Sequence, residues 1–129
     1  MTSCSTSGSI TATGSSAGGL IGLITTNGAS LFRCSSSTAI TGNGASNGGL
    51  VGTIEKGTTA IRRCYATGDI TTASSNAGGL VGNIQHASNA LTVTIENCYA
   101  NGSIIKSNQI RGGLIGVIGT VTSVTVSNC

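Results

Sequence analysis

Five cysteines recur along the chain at nearly constant intervals, and their thiols are the groups best suited to chemistry. They are Cys4, Cys34, Cys64, Cys98 and Cys129, spaced by 30, 30, 34 and 31 residues. Two interpretations stay open: disulfides between neighbouring cysteines, or a column of small buried thiols that pack as apolar groups. Because five is odd, at least one cysteine lacks a partner within the chain, and a bond between Cys129 and Cys4 of stacked molecules is a further hypothesis.

The other titratable residues do not form a catalytic pattern. General acid–base catalysis needs groups that converge, and the three acids, Glu55, Asp69 and Glu96, fall at different phases of the cysteine spacing. The single histidine, His86, lies in a segment of variable length, so we interpret it as a solvated loop residue rather than a metal ligand. The sequence therefore predicts no enzymatic activity, no metal site and no cofactor.

The basic residues predict a small patch and not a nucleic-acid surface. The net charge is +3, and Arg33, Arg62 and Arg63 lie just before two of the cysteines, which places them at one corner of the fold. Nucleic-acid binding usually needs a larger patch together with aromatic stacking platforms, and only 2% of the residues are aromatic. We therefore expect no nucleic-acid partner.

A repeated motif explains the cysteine spacing. The pentapeptide Gly-Gly-Leu-(Ile/Val)-Gly begins at Gly18, Gly48, Gly78 and Gly112, each time 14 residues after a cysteine. A fixed period of this size indicates a repeat architecture. The sequence divides into units 4–33, 34–63, 64–97 and 98–128, and Cys129 opens a fifth. The third unit carries a four-residue insertion within 83–94, which we predict to be a loop or bulge.

Each unit alternates apolar or small residues with polar ones, the period of a strand with one buried face. Turn-like stretches, such as Gly14-Ser15-Ser16, Gly44 to Asn47 and Ser74-Ser75-Asn76, separate about three short strands in each unit. Units this small bury their apolar face only by stacking, so we predict a parallel β-solenoid of four turns. Three interior columns follow: Ile10, Ile40, Ile70 and Ile104; Leu20, Leu50, Leu80 and Leu114; and Leu31, Ile61, Ile95 and Val126.

The composition agrees with a packed β structure. The 129 residues include 21 glycines and no proline, only 7% are charged, and mean hydropathy is +0.29. These values exclude a charged disordered linker and collagen. No apolar run approaches the length of a membrane span, and no signal peptide is present in this stretch, so we expect no membrane insertion.

The glycine motif and its neighbours resemble a known repeat. Four copies of Gly-Gly-Leu-(Ile/Val)-Gly, together with Cys-Tyr-Ala-x-Gly-x-Ile at 64–70 and 98–104, are similar to the GLUG repeat of bacterial surface proteins, which include adhesins and immunoglobulin A peptidases. Ser5 and Ser35 depart from the pattern where the later units have Tyr65 and Tyr99. The resemblance implies an extracellular or cell-surface location and a stalk-like or adhesive module, and it implies no catalytic residues.

Two functions remain as hypotheses. Neither terminus reads as a cap, and an open last turn favours association, so the first is a structural subunit that stacks head to tail into a fibre or stalk. The second is an adhesin-type module that binds glycan or ice through an outward Ser/Thr face, centred on Thr11, Thr41 and Thr71. Asn101-Gly102-Ser103 is also a possible N-glycosylation site.

Overall fold

The chain is an all-β parallel solenoid of four turns with about 30 residues in each, in a computed structural model that describes residues 1–73, 76–86, 90–105 and 110–129. The predicted fold is therefore confirmed. Every strand pairs in parallel with its counterpart in the neighbouring turn, because the repeated sequence places the same residue types at the same positions.

The described residues of each turn contain five strands. The first turn consists of β1 (Ser5–Thr6), β2 (Ser9–Ala12), β3 (Ser16–Gly18), β4 (Ile21–Ile24) and β5 (Ala29–Phe32). The second consists of β6 (Ser35–Ser36), β7 (Ala39–Gly42), β8 (Ser46–Gly48), β9 (Val51–Ile54) and β10 (Gly57–Arg62). The third consists of β11 (Tyr65–Ala66), β12 (Ile70–Thr72), β13 (Asn76–Gly78), β14 (Val81–Ile84) and β15 (Leu91–Glu96). The fourth consists of β16 (Tyr99–Ala100), β17 (Ile104–Ile105), β18 (Arg111–Gly112), β19 (Ile115–Ile118) and β20 (Ser123–Ser127).

These strands form five parallel sheets, each with one strand from every turn. The number of strands per turn is thus five, where the alternation predicted about three. One added strand arises because the segment after each cysteine forms two strands, such as β1 and β2. The other occupies the stretch that we predicted as a turn: Ser16 begins β3, Ser46 begins β8 and Asn76 begins β13. Ser74 and Ser75 lie outside the described residues. A three-residue strand next to glycine is too short for its periodicity to be recognised from sequence.

The insertion in the third turn is confined to one connection. Ile84 pairs with Ile54, and Leu91 pairs with Gly57, so six residues connect β14 to β15 where two connect β9 to β10. The predicted range of 83–94 was too wide, because its two ends belong to strands. Residues 87–89 of this connection lie outside the described part of the chain.

The interior consists of two apolar clusters that follow the predicted columns. The larger cluster contains the Leu50 and Leu80 column, the Ile61 and Ile95 column, and the cysteines; the smaller one contains Ile40 and Ile70. Members of the central turns are fully buried, and their counterparts in the fourth turn are not. Stacking therefore supplies the burial that a single turn lacks.

The paired glycines are required for close packing. A Cβ on Gly78 would overlap the carbonyl oxygen of Val81 and lie 2.5 Å from the Gly116 nitrogen. The motif needs glycine for this close approach and not for a left-handed backbone, because the described glycines with positive φ are Gly8, Gly28 and Gly57.

Candidate functional site

The corner before each cysteine has the same left-handed backbone conformation. The residue preceding the cysteine has φ between 52° and 54° in all five copies: Ser3, Arg33, Arg63, Asn97 and Asn128. In the inner copies this conformation directs the cysteine inward, so that Cys34, Cys64 and Cys98 are buried while the residue before each of them is exposed. The corner therefore builds a buried thiol column and an outer surface from adjacent residues.

The five cysteines are free thiols that connect successive turns through hydrogen bonds. The backbone N–H of Cys34 donates to the Cys64 sulfur at 3.3 Å, that of Cys64 to Cys98 at 3.4 Å, and that of Cys98 to Cys129 at 3.4 Å. Each of these four thiols donates to the carbonyl two residues before it, at 3.1–3.4 Å. The sulfur thus satisfies a backbone donor that the left-handed corner leaves without a strand partner.

Burial and the neighbouring sulfur control the ionisation of the central thiols. A hydrogen bond with Cys98, followed by desolvation, raises the pKa of the Cys64 thiol above its ordinary value. The same hydrogen bond lowers the pKa of the Cys98 thiol, so of these two thiols Cys98 loses its proton first and Cys64 keeps its own.

We expect native thiol alkylation to separate the cysteines into two classes. Cys34, Cys64 and Cys98 are at most 2% exposed, whereas Cys129 is exposed at the end of the column. Because an opening that costs about 3 kcal/mol lowers the reactive fraction about 100-fold, iodoacetamide at pH 7.5 should modify Cys129 at least about 100-fold faster than Cys64. Peptide mass spectrometry gives the rates, with the urea-unfolded chain as control. Equal rates in the native protein would show that the thiols are not packed as a column.

The outer surface of the same corner gathers arginines and aromatic rings. The Tyr65 and Tyr99 rings stack with centroids 5.0 Å apart and an interplanar angle of 3°. The Arg33 and Arg63 guanidinium carbons lie 5.1 and 5.7 Å from the centroid of the Phe32 ring. We call these five residues the Arg–aromatic corner.

Arg62, the third arginine of the predicted basic patch, is already paired. Its Nε donates to Glu96 Oε2 at 2.8 Å. Arg62 and Glu96 occupy the strand position that Phe32 holds in the first turn. The patch is thus divided into one neutralised arginine and two arginines that lie over an aromatic ring.

The predicted threonine face is an outward column on the second strand of each turn. Thr11 pairs with Thr41, Thr41 pairs with Thr71, and Thr71 pairs with Ile105. Thr11 and Thr41 are exposed and Thr71 is half-buried. The column therefore offers three hydroxyls before an aliphatic side chain ends it. The sequence also places Ser107 on the predicted hydroxyl face, and this residue lies outside the described part of the chain.

The acids and the histidine lie apart from this corner, except for Glu96. Asp69 Oδ1 accepts the Ser103 N–H at 2.7 Å, while Glu55 and His86 line a polar cleft of about 410 Å³ together with Thr25, Lys56, Asn83 and Gln85. His86 lies in the connection after β14, is half-buried, and its backbone N–H donates to the Thr120 carbonyl at 3.1 Å. In residues 1–73, 76–86, 90–105 and 110–129, no group of three or more His, Cys, Asp or Glu could hold a metal ion.

Two further features concern the surface. Asn101 is exposed, and its N–H donates to the Ala66 carbonyl at 2.9 Å, so the sequon lies at the surface of the fourth turn. Among the residues that the structure describes, no helix is long and apolar enough to cross a membrane.

Sequence reasoning did not identify the Arg–aromatic corner. It placed the arginines in a small basic patch at one corner and took the tyrosines as part of the repeat motif, and it did not single out Phe32. Alignment of the four units by their cysteines would have brought these residues together, because identical positions in adjacent turns are about 4.8 Å apart.

In comparisons with models of protein families, with curated proteins and with solved structures, nothing matches the chain. The similarity to GLUG repeats therefore stays a prediction.

Proposed function

We propose that this chain is a structural module of the extracellular surface, and that it extends by stacking head to tail on a second copy of itself to form a fibre or stalk. The observation that carries the proposal is the exposure of the apolar columns in the fourth turn, although the same columns are covered in the central turns, together with the open strand edges of the two end turns. The extracellular location rests on the resemblance to surface repeats.

The fourth turn exposes the ends of the interior columns. Ile118 is 50% exposed, although Ile54 and Ile84, which precede it in the same column, are fully buried. Val126 is 45% exposed beside the fully buried Ile95. Adjoining aliphatic side chains that end in solvent are typical of an association surface.

The first turn presents a matching apolar notch. A depression of about 390 Å³ lies between β4 and β5 and is lined by Met1, Ile21, Leu23, Ile24 and Leu31 among others. Its lining belongs to the same columns whose other ends are Ile118 and Val126. Because opposite ends of one molecule are complementary, the contact is heterologous and does not close, which favours a filament.

The backbone edges match as well. Apart from the bridge between Thr2 and Phe32, the strands of the first turn and of the fourth turn each pair on one side only, which leaves parallel edges at both ends. Such edges are templates for further pairing. A second copy satisfies them in the same register that already joins the four turns.

The strand register also restricts how a second copy can stack on the fourth turn. Thr2 bridges to Phe32, and Phe32 occupies the position that Ser127 holds in the fourth turn. An incoming copy therefore brings its residues 1–3 to the level of 126–128. Since β20 pairs with β15 at five positions and Thr2 forms one bridge, we expect the incoming residues 1–3 to be displaced.

Ile118→Asp is expected to abolish fibres without unfolding the chain. Ile118 is half exposed in the single molecule, whereas in a stacked joint a carboxylate at this position is buried without a partner. The matched control is Ile105→Asp, which changes the same residue type in the same turn but on the outward threonine column, and should leave fibres intact. Negative-stain electron microscopy and sedimentation give the result.

Three results would contradict the proposal. One is a wild-type chain that stays monodisperse at high concentration. Another is a set of fibres that survive Ile118→Asp, because the end turn would then not be the contact. Fibres lost equally in both variants would show that lateral contacts contribute, which the proposal also excludes.

A further inference from the structure

We infer that the Arg–aromatic corner is a binding site for an acidic polysaccharide, one whose sugar units carry carboxylate or sulfate groups. The site lies on the lateral surface, away from the threonine column, and the inference does not depend on end-to-end stacking.

The first argument is the concentration of rare residues. The chain contains one Phe, two Tyr and no Trp, and all three rings lie at this corner, together with three of the six basic residues. Elsewhere the surface consists mainly of Ser, Thr, Asn and Gly. Exposed aromatic rings beside arginines are the composition of a recognition surface.

The two tyrosine rings project from the surface beyond the smaller residues of the same column. Ser5, Ser35, Tyr65 and Tyr99 occupy one column, so two small residues are followed by two stacked rings. Tyr65 is 39% exposed and Tyr99 is 52% exposed. Since Ser35 ends at its hydroxyl, no ring covers the face of Tyr65 opposite Tyr99. The C–H face of a sugar ring fits on that face above Ser35 and continues the stack.

Arg33 and Arg63 supply positive charge at the same height along the solenoid as the tyrosine rings. Arg62 is neutralised by Glu96, while Arg33 and Arg63 have no carboxylate within 4.0 Å in the described ranges of the chain. The ring of Phe32 lies beneath both guanidinium groups. Guanidinium groups held in this way pair with carboxylate or sulfate through two parallel N–H bonds.

The backbone conformation at Arg33 and Arg63 is unfavourable for arginine. Arg33 and Arg63 have φ of 54°, a left-handed conformation that arginine rarely adopts, and Asn97 and Asn128 hold the equivalent positions with φ of 52°. Asparagine is far more common in this conformation. If these positions served only to turn the backbone, asparagine would be the better residue. The two arginines therefore point to a role in binding rather than in folding.

The distance between successive turns favours a polysaccharide over a single-stranded nucleic acid as the ligand. Successive positions in the column are about 4.8 Å apart, whereas successive bases stack at about 3.4 Å. Nucleic-acid sites also combine stacking with a basic groove that follows many phosphates, and here two unpaired arginines supply the charge. An extended acidic sugar chain, with one charged group on each unit, suits two cations on adjacent turns.

The test is a calorimetric titration with hexagalacturonate at low salt. Maltohexaose is the neutral control and a dodecamer of thymidylate is the nucleic-acid control. Because Tyr65 and Tyr99 are the only tyrosines and there is no tryptophan, tyrosine emission reports directly on the corner. We expect hexagalacturonate to bind and to change this emission, and maltohexaose to do neither.

The variants separate the site from the fold. Arg33→Asn with Arg63→Asn uses a residue that the corner already accepts, so folding is retained and binding should weaken about tenfold or more. Tyr65→Ser with Tyr99→Ser copies the first two turns and should have a similar effect. Arg111→Asn removes the same charge from β18 and should change affinity less than about twofold.

Three results would overturn the inference. They are the absence of hexagalacturonate binding, affinity that survives the double arginine change, and loss of affinity that is equal in Arg111→Asn. Tighter binding of the thymidylate dodecamer than of hexagalacturonate would assign the corner to nucleic acid instead.

Discussion

Gly79→Ala is expected to lower the free energy of unfolding by about 3 kcal/mol or more. The new Cβ would overlap the carbonyl oxygen of Gly113 and lie 2.7 Å from the Ala100 Cβ. Both obstacles belong to the next turn. Neither can move far, because the Leu80 N–H donates to the Leu114 carbonyl at 2.8 Å and holds the two turns together.

A matched control lies in the same motif. Gly113 is the second glycine of the fourth copy, as Gly79 is of the third, yet nothing lies within 4 Å of a Cβ placed on it. Gly113→Ala should therefore change stability by no more than about 0.5 kcal/mol. Urea denaturation followed by circular dichroism measures both. Equal losses in the two variants would mean that the motif needs glycine for local conformation rather than for the approach of the next turn.

The fold could be predicted because the repeat provides two independent patterns. The alternation identifies inward residues such as Ile40 and Ile70, and the constant spacing identifies which of them stack. Together they establish the parallel register, since a slip of one residue would turn every aliphatic column outward. This is why the columns are correct in the central turns.

The number of strands could not be predicted in the same way. Strands of two or three residues, such as β1 and β3, are too short to show a repeated alternation of buried and exposed residues. Ser46 and Asn47 also suggest a turn by composition, but both are buried because their neighbouring turns cover them. Tertiary stacking thus overrides a local turn preference.

The Arg–aromatic corner depends on contacts between turns and not on any local motif. Phe32 and Arg63 are 31 positions apart in sequence and adjacent in space. Composition alone gave a low aromatic content, which led to the expectation of no stacking platform. The structure concentrates that small number of rings in one place, so the average over the chain was misleading.

Gly113→Ala is also expected to prevent fibre formation, although it leaves the single molecule intact. A Cβ on Gly19 would meet the Gly49 carbonyl oxygen, and one on Gly49 would meet that of Gly79. The pattern repeats at each level, so in a stacked joint a methyl group on Gly113 would meet the carbonyl of Gly19 in the incoming copy. A clash of about 3 kcal/mol at every joint raises the concentration needed for assembly about 100-fold.

Sedimentation across a concentration series measures that threshold, with Thr41→Ala as a control that removes only an exposed lateral hydroxyl. Wild type and Thr41→Ala should assemble at the same concentration. The urea denaturation of Gly113→Ala is expected to match that of wild type. A loss of fibres in this variant therefore cannot be attributed to unfolding. Fibres that form at the wild-type threshold would mean that copies do not continue the register of the turns, since only an in-register joint brings a backbone carbonyl against this one methyl group.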